Sequence, residues 1–493
     1  MKNPFFSIVI PTRNRADTLK FTIKSILNQD FQDYEIIVCN NNSIDDTEEI
    51  IKSFLDKRIK YLSSNIDLSM TDNWELAYTK VSGQYITYIA DNDGFMHGAL
   101  GFMYELLKLN TYPDILRWEK NLYNWPCLDS VNRNILYINL EKKFEIYNSS
   151  IIIKEVIEGK RKFQDLPMIY NSFIKNELIK SFISRTGRLF HSISPDLATG
   201  FSFALLKKEY LSLSYGITCG TNSSKSNGYN CIRKKDNHIS KDFKKLITTS
   251  KINFHPFIPF VKSLIAVITE SYLRIDELFK FNKINLDIKQ TYINIINDVT
   301  IIDDDDLKET KSKIIECAKF NDELLNFIIE FLKENPLKIN LNIDTNYKKG
   351  FNESYNLLTL VGEDFNLFNI EQVCKFMGGF YNYSLDEISF PPLSSSNLNI
   401  IEKSSKIGIW GNGSFSNKLQ ELLLEERKDL NICFIIDSFK ENTTNKIPVL
   451  LPQNANFTNI NYLILASTFL NEIQETLLSL NIKNITILKY ESK

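Results

Sequence analysis

Residues 6–41, FSIVIPTRNRADTLKFTIKSILNQDFQDYEIIVCNN, contain one complete unit of the predicted fold. The apolar run at 6–10 ends at Pro11, which is typical of a short buried strand. Apolar residues then recur at positions i, i+4, i+7 and i+8 of a helix: Leu19, Ile23, Ile26 and Leu27. A second apolar run follows at 36–38. The stretch therefore predicts a strand, a helix and a second strand.

The same alternation continues to residue 89. Helical spacing recurs at two further groups of apolar residues: Ile50, Ile51, Phe54 and Leu55, and then Trp74, Ala77, Tyr78 and Val81. Apolar runs at 59–62 and 85–89 follow these helices as strands. Parallel neighbours need a crossover connection, so alternating strands and helices predict a mostly parallel sheet. We therefore predict an α/β fold with a doubly wound first domain.

The rest of the chain divides into two further regions. Helical spacing dominates residues 250–345, and the Gly/Ser/Asn-rich stretch 216–228 predicts a mobile loop. Residues 391–397 have the composition of a linker, and β/α alternation restarts at Lys406. We predict three parts: a first α/β domain at 1–245, a mainly helical region at 246–395, and a small α/β domain at 402–493.

The composition is that of a globular protein from a reducing compartment. The chain has 493 residues, of which 43% are hydrophobic and 24% charged, which excludes the disordered and low-complexity classes. The 58 Lys+Arg and 60 Asp+Glu give a net charge of −2, so no overall electrostatic footprint for nucleic acid is present. The 7 cysteines are odd in number and form no Cys-x-x-Cys pair, which argues against disulfides and structural zinc. We expect a cytoplasmic protein.

No segment of the sequence has the character of a membrane span. The longest apolar run, at 254–268, is interrupted by His255, two prolines and Lys262, whereas a span needs about 20 apolar residues. The N-terminus also lacks the apolar segment of a signal peptide. We expect any membrane contact to be peripheral.

Two carboxylates stand where the fourth predicted strand ends. In the segment Asp91-Asn92-Asp93, the aspartates are two residues apart, so at strand spacing they project to the same side. Doubly wound folds bind ligands at this carboxyl edge, and hard oxygen ligands suit Mg²⁺ or Mn²⁺ bridging a phosphate. Asn-Asp-Gly after a strand is equally typical of a turn whose aspartates cap the local backbone. Both interpretations stay open on this segment alone.

The ordered motifs of the first hundred residues resemble the family 2 glycosyltransferases. They are the segment 7–14, SIVIPTRN; the turn 40–47 with Ser43 and Asp45; Asn73 and Ala77; and 83–86, GQYI, leading to Asp91-Asn92-Asp93. The resemblance covers residues 6 to about 106 and includes the family's Asp-x-Asp motif at the expected strand end. It implies a GT-A fold and an inverting enzyme that uses a nucleotide sugar.

The resemblance also implies a donor site and a metal ligand. The donor-binding residues would be Pro11, Thr12, Arg13, Asn40, Asn41, Asn73, Asp91 and Asn92. Asp91 would lie near the ribose, and Asp93 would hold Mn²⁺ or Mg²⁺ on the diphosphate. Asn40 or Asn41 would replace the family's base-binding aspartates, and an amide oxygen can still accept a hydrogen bond from uracil. UDP is therefore the favoured nucleotide, with a plain asparagine turn as the alternative.

Inverting transfer needs a carboxylate that takes the proton from the acceptor hydroxyl. By its position in the resemblance, this base would be Asp196, which follows Pro195 and opens an apolar, helix-like run. A simple helix cap is the alternative, and Asp165 is the reserve candidate. His255 would add a ligand to the metal by its position, although a lone histidine is more often structural.

Three other polar residues have two interpretations each. His191 is a candidate for the acceptor pocket. Arg185 and Arg188 are candidates for pairing with a diphosphate or with the phosphate of a lipid-linked acceptor, because a guanidinium offers two donors in a fixed fork. A solvated basic turn is the alternative for both arginines.

The C-terminal domain contains a glycine pattern typical of nucleotide-binding βαβ units. Gly411 and Gly413 follow the strand at 406–410, and Asp437 ends the next predicted strand. The third glycine of the dinucleotide fingerprint is replaced by Ser416. The pattern resembles small Rossmann-like domains attached to bacterial sugar-modifying enzymes. NAD, another nucleotide, a sugar or an assembly role all stay open.

The sequence thus predicts a metal-dependent, inverting glycosyltransferase with a Rossmann-like C-terminal domain. The resemblance implies a nucleotide-sugar donor and a glycan or lipid-linked acceptor, in the synthesis of a bacterial surface polysaccharide such as lipopolysaccharide or capsule. Two alternatives are kept: a nucleotide-sugar-binding assembly subunit without activity, and a bifunctional protein with an NAD-dependent oxidoreductase in its C-terminal half. Homo-oligomer formation is also left open.

Overall fold

A computed structural model gives the fold of the protein. The residues it describes are 3–110, 112–128, 130–226, 230, 238–250, 252–279, 286–340, 348–381, 383, 392–393, 401, 404–411, 413–437, 442–444, 447–466, 473, 476 and 485–490.

The N-terminal strands form the parallel part of a large sheet. They are β1 (Phe6–Thr12), β2 (Tyr34–Asn41), β3 (Ile59–Ser64) and β4 (Tyr85–Tyr88). Their order is β3-β2-β1-β4, and every neighbouring pair is parallel. The connecting helices are α1 (Ala16–Leu27), α2 (Thr47–Lys52) and α3 (Met70–Tyr78). This confirms the predicted α/β class with a doubly wound N-terminal sheet.

Local sequence explains these elements. Every residue of β1 is buried, as expected for a strand that is covered by helices on both faces. The apolar stripe of α1 is buried through Leu19, Ile23 and Ile26, as its helical spacing predicts. Ser69 caps α3, because its side chain accepts a hydrogen bond from the backbone N–H of Asp72.

The sheet continues beyond β4 with mixed pairing. The added strands are β5 (Gly94–Phe95), β6 (Ile115–Asn124), β7 (Ile135–Asn139), β8 (Phe144–Asn148), β9 (Ser172–Lys175) and β10 (Glu209–Asn222). The helices between them are α4 (Ala99–Leu109), α5 (Ser149–Ile157), α6 (Asn176–Thr186) and α7 (Pro195–Leu206). The strand β9 pairs antiparallel with both β4 and β6, and β10 pairs parallel with β6. The sheet thereby brings β6 and β10 to the region beyond the end of β4.

The predicted mobile loop at 216–228 is wrong over its first part, because residues 216–222 belong to β10. Gly216 and Gly220 lie in this strand next to neighbouring side chains and do not form turns. A Cβ atom at Gly216 would lie 2.5 Å from the Asn121 amide nitrogen, and one at Gly220 would lie 3.2 Å from Lys120 Nζ. Residues 227 and 228 of the predicted loop lie outside the described residues.

The middle of the chain is helical, but only in part. Its helices are α8 (His238–Thr249), α9 (Leu264–Phe279), α10 (Ile288–Asp298), α11 (Asp304–Ala318) and α12 (Asp322–Glu334). The next elements, β11 (Gly350–Asn352), β12 (Leu357–Val361) and α13 (Ile370–Gly378), return to the N-terminal sheet. There β12 pairs antiparallel with β7, and α13 buries Ile370, Val373 and Met377 in the same core as β1. The predicted helical region at 246–395 thus differs from the structure beyond Glu334.

A second, mostly parallel sheet lies near the C-terminus. Its strands are β13 (Pro392–Leu393), β14 (Lys406–Trp410), β15 (Asn431–Ile436), β16 (Asn442–Thr444), β17 (Ile447–Leu450), β18 (Tyr462–Leu465) and β19 (Thr486–Tyr490), with α14 (Ser414–Glu426) between β14 and β15. The order is β13-β19-β18-β14-β15-β17-β16, and β16 alone of these strands is antiparallel to its neighbour. The sheet contacts the first domain: the Tyr462 hydroxyl lies 3.1 Å from a Glu209 carboxylate oxygen, and Leu109 packs with Trp410.

Within the described residues, no helix is both long and apolar enough to cross a bilayer. The predicted domain boundaries stay predictions.

Candidate functional site

The predicted donor-site residues lie at one edge of the N-terminal sheet. Thr12 ends β1, Asn41 ends β2, and Asp91 to Asp93 follow the carboxyl end of β4. Because these strands are parallel and adjacent, their carboxyl ends meet at this edge, where doubly wound folds bind ligands. The structure therefore brings together the segments that the sequence singled out separately.

Asp93 is held by hydrogen bonds from two other elements. Its carboxylate is 1% exposed. Oδ1 accepts hydrogen bonds from the Thr221 backbone N–H at 2.8 Å and the Thr221 hydroxyl at 3.2 Å. Oδ2 accepts a hydrogen bond from the Tyr170 hydroxyl at 2.5 Å and lies 4.0 Å from Lys120 Nζ. Burial raises the pKa of Asp93, and the charge of Lys120 opposes that rise.

Asp91 is bound to a cation that sequence reasoning missed. Arg15 Nε donates a hydrogen bond to Asp91 Oδ1 at 3.1 Å, and Arg15 Nη2 donates one to the Lys225 carbonyl oxygen at 2.6 Å. Burial raises the pKa of Asp91, while the Arg15 charge opposes the rise. Arg15 thus joins the end of β4 to the segment that follows β10.

Asp196 lies in the first turn of α7, where the charge of Lys120 acts on it. The helix has Ser194 at its N-cap and Pro195 as its first residue, so Asp196 is not the capping residue. Burial raises the pKa of Asp196, and the charge of Lys120 opposes that rise. The Thr199 hydroxyl donates a hydrogen bond to the Asp196 carbonyl oxygen at 2.7 Å, which fixes the backbone of this turn. The candidate base and the candidate metal ligand therefore face the same lysine.

Both predicted base-binding asparagines have hydrogen-bond partners inside the protein. The Asn41 side chain donates to the Leu68 carbonyl oxygen at 2.8 Å and accepts from the Leu68 N–H at 2.9 Å. Asn40 donates to the Tyr61 hydroxyl at 3.3 Å and accepts from the Ser43 N–H at 3.1 Å. Each amide thus organises the turn after β2, and contact with a base stays a prediction for both.

The other predicted donor residues surround this turn. Pro11 and Thr12 are buried at the end of β1. Arg13 Nη1 donates to the Asn41 carbonyl oxygen and to Asp67 Oδ1, both at 2.9 Å.

Two predicted donor-site asparagines are bonded within the fold. The buried Asn73 accepts a hydrogen bond from the Cys39 thiol at 3.2 Å. The backbone carbonyl oxygen of Asn92 accepts hydrogen bonds from Trp125 Nε1 at 3.2 Å and from the Thr221 hydroxyl at 2.9 Å. These contacts make both residues part of the site's scaffold.

The histidines make contacts of their own. His255 Nε2 lies 2.9 Å from Glu277 Oε1 on α9, and His191 Nε2 lies 2.9 Å from the Arg188 carbonyl oxygen. Burial lowers the pKa of His191 to about 4. The role of His255 as a metal ligand, and that of His191 in the acceptor pocket, stay predictions.

The two arginines also have partners. Arg188 donates to Asp72 Oδ1 at 2.9 Å, and the guanidinium of Arg185 lies 4.7 Å from the centre of the Phe279 ring. Pairing of either arginine with a phosphate stays a prediction.

The reserve base, Asp165, belongs to a buried ion-pair network. Its carboxylate accepts hydrogen bonds from Arg117 Nη2 at 2.8 Å and from Arg161 Nη1 at 3.2 Å. Arg117 also pairs with Glu119 at 2.6 Å and is 1% exposed. These ion pairs hold β6 against the turn at 163–165, so the contacts of Asp165 in this structure stabilise the fold.

We expect Asp165→Ala to lower the free energy of unfolding by about 3–5 kcal/mol, because it leaves the buried Arg117 without one of its partners. Glu155→Gln is the control, since Glu155 is a partly exposed partner of Arg161 and its loss should cost about 0–1 kcal/mol. Urea unfolding of the two variants gives both values. A stable Asp165→Ala protein that has lost turnover would instead favour Asp165 as the base.

The C-terminal candidates lie at the corresponding edge of the second sheet. Gly411 follows β14 with φ of +129°, and Gly413 precedes α14 as its N-cap residue. The backbone N–H of Asp437 donates to the Leu450 carbonyl oxygen at 3.0 Å just after β15. Nucleotide binding by these residues stays a prediction.

The carboxylate oxygens of Asp93 fit a divalent cation that is bound by only a few protein side chains. A carboxylate has about four lone-pair sites, and described neighbours use three of those on Asp93: two on Oδ1 and one on Oδ2. Among the described residues, no group of three or more His, Cys, Asp or Glu side chains is placed to hold a metal. Mg²⁺ and Mn²⁺ suit such a site, because Mg²⁺ keeps several waters and binds substrate phosphates through one or two carboxylates.

Two regions of the chain match known protein families. Residues 7–144 match the family described as Glycosyl transferase family 2. Residues 403–488 match the family described as C2185-like, N-terminal. The first match contains β1 to β7, including Asp91, Asp93 and Lys120.

Curated relatives carry related names. The chain is 41% identical over 100 residues to the GalNAc(5)-diNAcBac-PP-undecaprenol beta-1,3-glucosyltransferase of Campylobacter jejuni, a match covering 20% of this chain and 32% of the relative. It is 25% identical over 234 residues to the UDP-Glc:alpha-D-GlcNAc-diphosphoundecaprenol beta-1,3-glucosyltransferase WfgD of Escherichia coli, covering 46% of this chain and 78% of the relative. The chain thus spans about a third of the length of the first of these.

Among solved structures, the chain is similar to S. aureus TarS 1-349 in complex with UDP-GlcNAc. The sequence identity is 14% and the TM-score 0.38, with 71% of this chain and 100% of the other covered.

Proposed function

We propose that the protein, whose residues 7–144 form a glycosyl transferase family 2 domain, is a metal-dependent, inverting glycosyltransferase. It moves a sugar from a nucleotide-sugar donor to a hydroxyl group of a glycan or lipid-linked acceptor. The observation that carries the proposal is that carboxylates from two distant segments interact with one lysine of β6. Lys120 Nζ lies 4.0 Å from Asp93, which follows β4, and its charge acts on Asp196 in α7.

The charges of the site support a requirement for a divalent cation. Asp91, Asp93 and Asp196 face Arg15 and Lys120, which leaves one negative charge uncompensated among these five groups. A diphosphate brought into this site would be repelled by the excess negative charge. Bound to Asp93, a divalent cation would neutralise the departing diphosphate and lower the barrier by several kcal/mol.

Asp196 has the properties of the base in this scheme. A carboxylate accepts a proton from an attacking hydroxyl more readily when its pKa lies above the ordinary value, and burial raises the pKa of Asp196. The charge of Lys120 favours the ionised form of Asp196, because it opposes the rise in pKa that burial causes. The first turn of α7 fixes the backbone from which this side chain projects.

Donor and acceptor are proposed from the relatives. Both relatives described above are named as glucosyltransferases that act on an undecaprenol-linked acceptor, and the name of WfgD specifies UDP-Glc. We propose a UDP-sugar as the donor and a lipid-linked glycan as the acceptor, in synthesis of a bacterial surface polysaccharide. With such an acceptor, we propose that the protein works in the cytoplasm, in peripheral contact with the inner membrane.

A ligand screen on the full chain tests the proposal. Thermal melting with UDP-sugars, other nucleotide sugars and NAD(H), each with and without Mn²⁺, should show Mn²⁺-dependent stabilisation by a nucleotide sugar. Release of free nucleotide should follow when an acceptor is supplied. Binding without any release under these conditions would favour the assembly subunit.

The screen also tests the C-terminal domain, with Gly413→Val as the informative variant. A Cβ atom at Gly413 meets no described atom within 4 Å, so the substitution should obstruct a bound nucleotide without straining the fold. Stabilisation by NAD(H) that Gly413→Val abolishes would favour the oxidoreductase alternative.

A further inference from the structure

Lys120 is a partly buried cation whose hydrogen-bonding capacity is not used by the described residues. Its side chain is 20% exposed, and Nζ lies 4.0 Å from Asp93 Oδ2, which is beyond hydrogen-bond distance. The same ammonium lies 3.7 Å from the centre of the Tyr170 ring, a cation–π contact. Within the described part of the chain, these contacts hold the charge but leave its three N–H donors for another partner.

The structure directs this lysine into the donor site. Neighbouring residues of a strand project to opposite faces, and Glu119 pairs with Arg117 and Lys162 on the other face of β6. On the side of Lys120, Gly220 of β10 leaves room for the ammonium, since a Cβ atom there would lie 3.2 Å from Nζ. The lysine is thus held at the edge of the sheet beside Asp93, where its charge also acts on Asp196.

Burying the charged ammonium of Lys120 costs free energy, and its interaction with Asp93 offsets that cost only in part. Desolvation disfavours a charged ammonium, and the nearest Asp93 oxygen is too distant to hydrogen-bond with it. Tyr170 is held in place by its hydrogen bond to Asp93 and lies nearly parallel to Trp74, with ring planes 16° apart. The Lys120 ammonium is therefore buried at a cost in free energy, and its N–H groups make no hydrogen bond to the described residues. A group of this kind is suited to binding an anionic ligand.

We propose that Lys120 binds the diphosphate of the donor. In the ligand-free protein it lies beside Asp93 as a counter-charge. When a divalent cation binds Asp93, the two positive charges repel each other, and the ammonium donates its hydrogen bonds to phosphate oxygens. The proposal rests on the proposed function, because it takes the edge at Asp93 as the diphosphate site.

Two affinities measured on Lys120→Met distinguish this role from a structural one. Titration calorimetry with UDP and with inorganic pyrophosphate, at saturating Mn²⁺, should show affinities about 10- to 100-fold weaker than in the wild type, the range for hydrogen bonds to a charged group. Mn²⁺ binding to the nucleotide-free variant, measured by electron paramagnetic resonance, should be unchanged or tighter because a repelling charge is gone. A structural role would weaken both affinities together.

Matched variants complete the experiment. Lys120→Arg keeps the charge and should retain most of the pyrophosphate affinity, and Lys120→Gln provides a second neutral variant if Lys120→Met proves unstable. Lys162→Met removes a lysine that pairs at 2.8 Å with Glu119, the residue of β6 that projects to the face opposite Lys120. It should leave both affinities unchanged. Thermal midpoints of all variants monitor the fold.

The results separate this proposal from the proposed function. Wild-type protein that binds neither UDP nor pyrophosphate with Mn²⁺ would overturn the proposed function and the role of Lys120 with it. Wild-type protein that binds pyrophosphate but not UDP would contradict only the choice of nucleotide. A neutral Lys120 variant with pyrophosphate affinity within twofold of the wild type, or with Mn²⁺ affinity reduced in parallel, would overturn the role of Lys120 alone.

Discussion

Asp93→Asn is expected to abolish Mn²⁺-dependent donor binding and to reduce transfer by about a thousandfold or more, while the protein stays folded. The reason is that a bound divalent cation stabilises the departing diphosphate by several kcal/mol, and each 1.4 kcal/mol is a factor of about ten in rate. The asparagine keeps an oxygen for the Thr221 N–H at the position of Oδ1. Asp93→Ala should lose transfer equally but should also lower the free energy of unfolding by about 1–3 kcal/mol, because it leaves a buried donor unpaired.

Asp114→Asn is the matched control for Asp93. Asp114 is a partly exposed carboxylate that also faces lysines, but it is no part of the donor edge. Its Oδ1 lies 4.0 Å from Lys175 Nζ, and its Oδ2 pairs with Lys207. Its loss should leave nucleotide release and Mn²⁺ binding unchanged. The measurements are release of free nucleotide and Mn²⁺ titration of each variant. Normal turnover in Asp93→Asn would contradict the assignment of Asp93 to the metal.

The periodicity of the first hundred residues was sufficient to predict the parallel sheet. Buried strands such as β1 and amphipathic helices such as α1 have local signatures, since strand and helix bury residues at different periods. The return of β12 and α13 to this sheet has no local signature. Residues 357–361 pair with β7 more than two hundred residues earlier, and such a pairing depends on the assembled core.

The candidate site also combines residues with a local sequence signature and residues that only long-range strand pairing brings together. Asp91 and Asp93 belong to one short motif, so their common location just after β4 could be predicted from sequence. Strand spacing does not place their side chains, because β4 ends at Tyr88 and the two carboxylates contact different cations, Arg15 and Lys120. Lys120, Tyr170 and Thr221 come from β6, the segment before β9, and β10, and they meet at Asp93 only through pairing between distant strands. The basic residue next to the motif 7–14, Arg15, offered the one sequence signal for the cation that binds Asp91.

The composition of residues 216–228 favours a loop, whereas residues 216–222 belong to β10 for a physical reason. Gly216 and Gly220 resemble loop residues by composition, but both sit in a strand where the missing Cβ makes room for a neighbouring side chain. The side chains concerned, Asn121 and Lys120, are next to each other in β6. A glycine that accommodates another residue cannot be distinguished from a turn glycine without knowing its neighbour.

Asp196→Asn should leave the affinity for the donor nearly intact and reduce the transfer rate by about 10²–10⁴, the range for loss of a general base. The amide has the size of the carboxylate but cannot accept the acceptor's proton. Donor binding should persist because Asp93, Lys120 and Arg15 are unchanged. The dissociation constant for UDP and the rate of transfer, measured on the same preparation, should therefore separate.

The pH dependence of the wild type gives an independent check on Asp196. A base acts in its deprotonated form, so activity is present above its pKa and is lost as the pH falls through that value. Burial raises the pKa of Asp196, so the loss should occur at a higher pH than for an ordinary aspartate, whose pKa is about 3.9. In Asp196→Asn, this acid limb should disappear from the residual rate.

Asp303→Asn is the control for a role of Asp196 at a helix start, because Asp303 caps α11 and accepts a hydrogen bond from the Asp306 N–H at 2.9 Å. Asparagine caps helices about as well as aspartate, so this variant should keep both donor affinity and rate. If Asp196→Asn loses affinity and rate in equal proportion, and its thermal midpoint falls, Asp196 stabilises the first turn of α7 and the base must be sought elsewhere. A rate that falls alone, together with the loss of the acid limb, identifies Asp196 as the group that takes the acceptor's proton.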